Sequence, residues 1–324
     1  MHRRPDAHML ERDTPPGATL FGWPAAAAPH AGAAGIEVLG VPSDAGNGIA
    51  SGARFGPAAI RRASLGLPAR DVEGIGIDGG AIDRIEHAGI DHGDVDFIHD
   101  CDWADALLRI QALVEGIAAR GAVPVVLGGD HAISYAAVAA LHGAGPLSVV
   151  WFDAHTDFCA WPGGDWHSHK QVLRRIAGLP HVERIVQIGH RGITYDDESA
   201  RSSKMRVSTA AEANAMRADA LLDRLPSRQP VYISVDIDAV DPRWAPGTGH
   251  PVPGGLDVAT LGALARAIAA GRDVLGVDAM EVNPLLDHRD MTSTAAASIL
   301  AQIVSGLSER ANAGRPALPP LPTA

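Results

Sequence analysis

The sequence has only two cysteines, fewer basic than acidic residues and no long apolar run, and each shortage excludes a class of protein. Cys101 and Cys159 cannot build a disulfide framework, so a reducing, cytoplasmic setting is expected. No apolar run reaches the roughly 20 residues that span a bilayer, which argues against a membrane protein. The charged start at Met1 has no apolar stretch behind it, and we therefore expect neither a signal peptide nor a membrane anchor.

The charge balance of the chain disfavours a nucleic-acid partner. Lys and Arg total 27 against 38 Asp and Glu, which gives a formal net charge of -11 with His neutral. Binding to a phosphate backbone depends on clustered Lys and Arg that release counterions, so an acidic chain suits a cationic ligand better. With 46% hydrophobic residues among 324, the chain is expected to be globular and is long enough to bury a large core.

Hydrophobic patterning predicts one α/β domain over residues 35–310. Residues 1–34 lack helical or strand periodicity and are predicted to be an N-terminal extension, while residues 311–324 are predicted to be a flexible C-terminal tail. Between them, short apolar runs alternate with longer segments of helical period, which indicates parallel strands with crossover helices on both faces. The predicted strands span residues 36–41, 123–127, 147–152, 184–188, 231–235 and 274–277. The predicted helices span residues 57–65, 103–119, 133–142, 170–177, 210–224, 257–270 and 292–308.

Four of the predicted strands end in residues suited to chemistry. In open α/β folds, ligands bind at the carboxyl ends of the parallel strands, so the residues that follow each strand are the candidates for a site. Here they are Gly-Gly-Asp-His ending at His131, Asp-Ala-His-Thr-Asp over 153–157, Asp-Ile-Asp over 236–238, and Asp-Ala-Met-Glu ending at Glu281. We therefore expect these side chains to meet at one rim of the sheet.

The spacing of these residues and their chemistry predict metal ligands. Alternate residues within 153–157 and within 236–238 lie on the same side of an extended chain. Four carboxylates close together without cations are prohibitively costly, so either they are dispersed over the surface or metal ions neutralise them. Two divalent ions would balance them, and an oxygen-rich set with a minority of imidazole suits Mn²⁺ better than Zn²⁺. The six predicted ligands are His131, Asp153, His155, Asp157, Asp236 and Asp238.

Taken together, these motifs resemble those of the ureohydrolases, the family that includes arginase and agmatinase. The matching segments are residues 52–57, 128–131, 150–157, 234–242, 245–249 and 280–284. The resemblance covers about residues 36–308 and is closest in spacing to agmatinase-like members. It implies a three-layer α/β/α fold around a mostly parallel sheet of about eight strands, a binuclear manganese site, and hydrolysis of a guanidino compound to urea and an amine.

The resemblance also implies a role for each predicted site residue. One ion would be held by His131, Asp153, Asp157 and Asp236, and the other by Asp153, His155, Asp236 and Asp238, with Asp153 and Asp236 bridging. Two such ions lower the pKa of a shared water, so that hydroxide exists near neutral pH. Glu281 is the expected carboxylate partner of the guanidinium, and Asp157 is expected to pass a proton to the leaving amine.

A catalytic histidine is implied in the loop that follows Asp157. A gap-free alignment from Asp157 favours His169, whereas a shorter loop would favour His167. Lys170 stands where agmatinase-like members have a small glycine, so we count it among the candidate substrate contacts. The alternative is that both histidines are solvated loop residues.

The loop over residues 158–166 bears on the choice of substrate. It contains no Ser, Thr or Asn of the kind with which arginase-like members hold the amino-acid end of arginine, so arginine is disfavoured. Asp165 could attract a terminal ammonium, and the net charge of -11 favours a dication, so agmatine is the predicted substrate, cleaved to putrescine and urea. Lys170 could instead pair with a carboxylate, which leaves a guanidino acid such as 4-guanidinobutyrate or 3-guanidinopropionate as the alternative.

Two other classes of protein fit the sequence less well. Zinc deacetylases of the wider superfamily share Asp-x-His but use a tandem His-His pair, and this chain has no His-His dipeptide. A metal-binding relative without turnover is supported only by the altered segment at Lys170. Ureohydrolases are commonly trimers or hexamers, so a homo-oligomer is implied by the resemblance alone.

Overall fold

Eight parallel β-strands form one sheet in this computed structural model, which describes residues 18–26, 35–47, 50–67, 89–160, 167–192 and 202–313. Among these residues the strands are β1 (Ile36–Val41), β2 (Gly89–Asp94), β3 (Val123–Gly128), β4 (Leu147–Phe152), β5 (Val182–His190), β6 (Met205–Thr209), β7 (Val231–Asp236) and β8 (Val274–Met280). Their order across the sheet is β2-β1-β3-β8-β7-β4-β5-β6. Every neighbouring pair is parallel, so the predicted fold is confirmed and the sheet is parallel throughout.

Helices cover both faces of this sheet. The helices of the described residues are α1 (Gly56–Leu65), α2 (Trp103–Ala119), α3 (Ser134–Ala139), α4 (Val172–Ala177), α5 (Ala210–Asn214), α6 (Ala218–Leu222), α7 (Val258–Gly271) and α8 (Met291–Asn312). Successive strand residues point to opposite faces, so Val150 belongs to the core cluster that includes residues of α1 and α5 to α8, while Trp151 belongs to the cluster that includes residues of α2, α3 and α4. The result is the predicted three-layer arrangement. Within the described part of the chain, none of the helices combines the length and apolarity that a bilayer crossing requires.

The sequence prediction missed the two strands at the edges of the sheet. β2 reads Gly-Ile-Asp-His-Gly-Asp, and β6 reads Met-Arg-Val-Ser-Thr with three of its five residues exposed. An edge strand has one free side and needs no continuous apolar run, so the pattern that identified the central strands is weak here. The predicted helix over 210–224 is two short helices, because the chain is extended at Arg217 (ψ 152°).

Part of the predicted N-terminal extension packs on the sheet. Leu20 and Trp23 are buried in the core cluster that includes α1. The backbone N–H of Leu20 donates to the Asp91 carboxylate in β2 at 2.8 Å, and Ala25 pairs with Asp91 as an isolated bridge. Residues 1–17, 27–34 and 314–324 lie outside the described residues, so the predicted domain limits stay a prediction.

A buried arginine of α1 is paired with carboxylates of β2. The Arg61 guanidinium is 0% exposed; its Nε donates to Asp91 Oδ2 at 2.8 Å and its Nη2 donates to Asp91 Oδ1 at 2.9 Å. Its Nη1 pairs with Asp94. The backbone N–H of Gly93 donates a further hydrogen bond to Asp91 at 2.9 Å. Each oxygen of this buried aspartate therefore has protein donors, and the Arg61 cluster, Arg61 with Asp91 and Asp94, carries its own cation.

Candidate functional site

The carboxyl ends of four neighbouring strands form the site. β3, β8, β7 and β4 are consecutive in the sheet, and the predicted site residues lie at or just after the ends of these strands. The loop after β1 passes so close to the end of β3 that a Cβ on Gly129 would collide with the backbone of Ser43, which explains the Gly-Gly pair of the motif. The side chains brought to this edge are His131 after β3, Asp153, His155 and Asp157 after β4, Asp236 and Asp238 at the end of β7, and Glu281 after β8.

Three carboxylates surround one nitrogen of His131. Its Nδ1 lies 2.9 Å from Asp236 Oδ2, 3.4 Å from Asp153 Oδ2 and 3.6 Å from Asp157 Oδ2. The imidazole and the Asp153 side chain are fully buried, and the other two side chains are at most 9% exposed. Ligand atoms of His131, Asp153 and Asp236 lie within 4.8 Å of one another, a spacing at which they could hold one ion.

A second group of ligand atoms shares Asp153 with the first. His155 Nδ1 lies 2.9 Å from Asp238 Oδ2 and 3.6 Å from Asp153 Oδ1, and ligand atoms of the three residues again lie within 4.8 Å of one another. Asp153 thus turns Oδ2 toward His131 and Oδ1 toward His155. The His155 side chain is 31% exposed, so the second group lies nearer to solvent than the first.

Neighbouring groups fix the orientation of these ligand atoms. Trp151 donates its indole N–H to Asp153 Oδ2 at 2.8 Å, and its ring stacks on His131 with centroids 4.0 Å apart and an interplanar angle of 3°. The backbone N–H of Asp238 donates to Asp236 Oδ1 at 2.8 Å, which leaves Oδ2 directed at the first group. A single indole therefore restrains both a carboxylate and an imidazole of the cluster.

The electrostatics of the cluster call for an added cation. Burial raises the pKa of Asp157, Asp236 and Glu281 well above the usual carboxyl value, and repulsion by neighbouring carboxylates adds to the shift. Burial alone would also raise the pKa of Asp153, but hydrogen bonds from the two imidazoles lower it. A divalent cation among these oxygens favours every ionised form at once, so the buried donor set fits a metal centre.

Glu281 lies beside this cluster in a strained backbone conformation. Its φ of 63° falls in the left-handed region, which is rare for a residue of this size and is common at functional sites. The carboxylate is buried, with Oε1 accepting the backbone N–H of His131 at 2.9 Å and Oε2 accepting from Asn47 Nδ2 at 3.5 Å. The motif residue predicted to bind the guanidinium is thus brought next to the predicted metal ligands.

His169 lies against the loop that follows β1. Its Nδ1 is 2.7 Å from the carbonyl oxygen of Gly46, and because a carbonyl only accepts, Nδ1 carries the hydrogen and Nε2 is the basic nitrogen. Burial lowers the pKa of His169 to about 4, and the nearby charges of His250 and Lys170 contribute to the shift. The neighbouring His167 accepts a hydrogen bond from Trp103 Nε1 on its backbone carbonyl at 3.1 Å.

Sequence reasoning missed one residue of this site, His250. Its ring centroid lies 5.3 Å from that of His169 and 6.1 Å from that of His155, so it connects the second ligand group to the predicted catalytic histidine. Burial lowers the pKa of His250, and the charges of His155 and Lys170 also act on it. The only signal in the sequence was its position after Gly-Thr-Gly in the segment over 245–249. Asp165, the predicted contact for an ammonium group, lies outside the described residues.

Comparison with known proteins identifies the family. The sequence matches the model of the arginase family over residues 34–306. It is 39% identical over 281 residues to the proclavaminate amidinohydrolase of Streptomyces clavuligerus, covering 83% of this chain and 87% of that protein. A solved structure of that enzyme superposes with a TM-score of 0.79 at 34% identity, over 90% of this chain and 97% of that one.

Two further relatives carry different substrate names. The mitochondrial guanidino acid hydrolase of Homo sapiens is 36% identical over 280 residues, covering 83% of this chain and 77% of that protein. The mitochondrial agmatinase of Gallus gallus is 35% identical over 277 residues, covering 82% and 79% respectively. The chain belongs to the arginase family and is a metal-dependent hydrolase of guanidino or amidine compounds.

Proposed function

We propose that this chain is a binuclear manganese ureohydrolase whose substrate is a guanidino acid. The proposed ligands are His131, Asp153, Asp157 and Asp236 for one ion and Asp153, His155, Asp236 and Asp238 for the other. The observation that carries the binuclear part is the shared carboxylate: the two oxygens of Asp153 face the imidazoles of two separate ligand groups. Manganese is proposed because carboxylate oxygens outnumber imidazole nitrogens in both groups.

When bound, the two ions lower the pKa of water and supply a nucleophile near neutral pH. The side chains then have to hold the guanidinium and move the proton. Glu281 is proposed to accept guanidinium N–H groups on its carboxylate, whose other hydrogen bonds already fix its plane. Asp157 is proposed to accept a hydrogen bond from the attacking water and to take up its proton.

His169 is proposed to complete the proton transfer to the leaving amine. Its lowered pKa keeps the ring neutral at pH 7, and the hydrogen bond of Nδ1 to Gly46 leaves Nε2 free to take a proton and return it. Attack on the guanidinium carbon forms a C–O bond, and transfer of the first water proton to the substrate nitrogen lets the C–N bond break. The second water proton passes to the released amine as the carbonyl of urea forms. The products are urea and a protonated amine, so atoms and charge balance.

The proposal that the tail of the substrate carries a carboxylate depends on Lys170. Its positive charge lowers the pKa of both His169 and His250, so the ammonium lies near these two imidazoles. The ammonium of Lys170 offers hydrogen-bond donors and positive charge to a carboxylate. The relatives named proclavaminate amidinohydrolase and guanidino acid hydrolase are among the most similar to this chain, at 39% and 36% identity.

Agmatine is the second candidate. The net charge of -11 favours a dication, and an agmatinase is among the relatives at 35% identity. Its terminal ammonium would need a carboxylate such as Asp165 near the tail of the substrate. Agmatine, predicted from the sequence, therefore stays an open prediction, and the charge of Lys170 is our reason for proposing a guanidino acid first.

Urea release with Mn²⁺ present, measured on 4-guanidinobutyrate, 3-guanidinopropionate, agmatine and arginine, tests the proposal. We expect kcat/KM to be at least about tenfold higher on one of the guanidino acids than on agmatine, since a half-buried ion pair is worth more than about 1.4 kcal/mol. Lys170→Ala should remove most of that preference. Lys204→Ala, at a lysine bound to backbone carbonyls of Ala177 and Leu179, is the control and should leave it unchanged. A tenfold preference for agmatine that survives Lys170→Ala would establish the second candidate instead.

A further inference from the structure

A chain of hydrogen bonds leads from the far nitrogen of His131 into the interior of the sheet. His131 Nε2 lies 2.9 Å from Ser234 Oγ, Ser234 Oγ donates to Asp278 Oδ1 at 2.6 Å, and Tyr232 donates its hydroxyl to Asp278 Oδ2 at 2.7 Å. All four side chains are 0% exposed. Ser234 and Asp278 are direct register partners on β7 and β8, so the backbone of the sheet fixes the geometry of the chain.

Counting the hydrogens of this chain assigns the hydrogen on His131. The Asp278 carboxylate only accepts, and it receives the hydroxyl hydrogens of both Tyr232 and Ser234. The hydrogen of Ser234 is thereby engaged, so toward the imidazole its oxygen can only accept. His131 Nε2 must then be the donor and carry a hydrogen.

We infer that Ser234 and Asp278 are positioning residues that keep the hydrogen of His131 on Nε2, so that Nδ1 is presented to a divalent ion. Nδ1 is the nitrogen that faces Asp236 at 2.9 Å and Asp153 at 3.4 Å. The outer partners of a ligating histidine set its tautomer and ring orientation in this way. The inference rests on the metal site proposed above, but it concerns residues to which the sequence analysis assigned no role.

The orientation of the imidazole is over-determined, which supports a positioning role. The ring is stacked face to face on Trp151, and its plane is also fixed by the Ser234 hydrogen bond at Nε2. A buried carboxylate such as Asp278 costs free energy unless it is hydrogen-bonded, and the hydroxyls of Tyr232 and Ser234 supply those hydrogen bonds here. The ionised carboxylate turns the hydroxyl hydrogen of Ser234 away from the imidazole, and a neutral side chain at this position would not do so.

The Mn²⁺ affinity of purified, metal-stripped variants tests the inference, with free Mn²⁺ followed by electron paramagnetic resonance during titration. In Asp278→Asn, the amide can donate to Ser234 Oγ and turn the serine hydrogen toward Nε2, which moves the imidazole hydrogen to Nδ1. We expect Mn²⁺ binding at one of the two sites to weaken by about 10–100-fold. Ser234→Ala should weaken it by about tenfold, because it removes the acceptor without imposing the wrong tautomer.

Two conservative variants and a measurement of stability complete the experiment. Ser234→Thr keeps the hydroxyl and should remain within about threefold of the parent protein, as should Tyr232→Phe, in which Ser234 still donates to Asp278. Urea unfolding of each apoprotein measures any purely structural effect. Affinity losses that scale with lost unfolding free energy across the four variants would overturn the inference, as would Asp278→Asn binding as tightly as the parent.

Nuclear magnetic resonance of ¹⁵N-histidine-labelled apoprotein separates this inference from the proposed metal site. We expect a His131 Nε2–H signal protected from solvent in the parent protein, and its loss or exposure to exchange in Ser234→Ala. If the parent protein bound no Mn²⁺ but kept this signal, the proposed function would fail while the hydrogen assignment stood. Absence of the signal in the parent protein would overturn the assignment itself.

Discussion

Two buried clusters of charged side chains differ in how their charge is balanced. In the Arg61 cluster, between α1 and β2, the guanidinium makes a bidentate pair with Asp91 and reaches Asp94, which is 17% exposed to solvent. In the site cluster, at the ends of β3, β4 and β7, four carboxylates face only two imidazoles. In the first cluster the buried carboxylate is paired with a guanidinium and the second carboxylate, Asp94, reaches solvent, whereas in the second cluster the surplus carboxylates are buried.

This difference separates a structural cluster from a functional one. Breaking a buried ion pair leaves an uncompensated charge, so each member of the Arg61 cluster supports the fold. Surplus buried carboxylates oppose folding unless a cation is added, which is why the site cluster is expected to cost stability in the apoprotein and to gain it with metal. The two clusters should therefore respond oppositely to loss of one charge.

Loss of the shared carboxylate should have the largest effect on activity. Asp153→Asn removes a ligand proposed for both ions, and we expect urea release to fall on the order of 10⁴-fold, since a metal centre supplies several kcal/mol of transition-state stabilisation. Metal analysis after Mn²⁺ loading and dialysis should fall from near two ions per chain to one or none.

The apoprotein supplies the contrast with the Arg61 cluster. Because burial and the neighbouring carboxylates raise the pKa of Asp157, Asp157→Asn removes an unfavourable charge, and its free energy of unfolding without metal should be equal to or higher than that of the parent protein. A parent protein that holds at most one ion after loading, or an Asp153→Asn variant that still holds two, would exclude the binuclear centre.

Replacement of His169 comes next and tests the rim of the site cluster. His169→Asn should lower kcat by about 10²–10⁴-fold, the usual contribution of a general acid-base group, with Mn²⁺ content unchanged. His167→Asn is the matched control and should have a mild effect. If the ranking of the two variants were reversed, the shorter-loop alignment would be right and His167 would be the proton carrier.

The sequence was enough to predict most of the residues that meet at the site, but not how they are arranged in space. The strand-end rule selected residues such as Asp153 and Asp236 because each follows a fully buried apolar run, a local signal. Nothing local says that β3, β8, β7 and β4 are neighbours in space; crossover connections over more than 100 residues bring β8 between β3 and β7. The roles of the selected residues stay predictions, although the structure brings them together.

His250 and Asp278 illustrate the two ways in which sequence reasoning fell short. His250 was not selected because it follows no strand, and its place beside His169 depends on the path of a long loop after β7. Asp278 was visible at a strand end, but only the register of β7 against β8 shows that it faces Ser234. The positions of edge strands and long loops are set more by tertiary contacts than by local sequence pattern. These features could therefore be recognised only in the folded structure.

The Arg61 cluster should show the opposite response to the site cluster. Arg61→Met leaves Asp91 buried without its cation, and we expect the free energy of unfolding to fall by about 3–5 kcal/mol, with or without Mn²⁺. Arg217→Met, which breaks the exposed pair with Asp219, should have no measurable effect on unfolding. If Mn²⁺ restored the unfolding free energy lost in Arg61→Met, the two clusters would be coupled and would not differ in their response.

The smallest expected effect is a pH dependence of stability that comes from His169. Burial holds the pKa of His169 at about 4 in the folded chain, whereas an unfolded histidine titrates near 6.5. Between these two values the unfolded chain binds more protons at this position, so the free energy of unfolding rises with pH across that window. Above about pH 6.5 the ring is neutral in both states and contributes nothing, and below about pH 4 the full cost of about 3 kcal/mol applies.

Urea unfolding of the metal-free parent protein and of His169→Asn, compared from pH 4.5 to 7.5, isolates this contribution. Asparagine does not titrate, so the variant should gain stability relative to the parent as the pH falls, while the difference between them stays constant from pH 6.5 to 7.5. The carboxylates of the site cluster titrate in both proteins, and their effect is common to both curves. If the two curves stayed parallel down to pH 4.5, His169 would be solvated in the folded chain, and its proposed role as the neutral proton carrier at the rim of the anionic cluster would lose its physical basis.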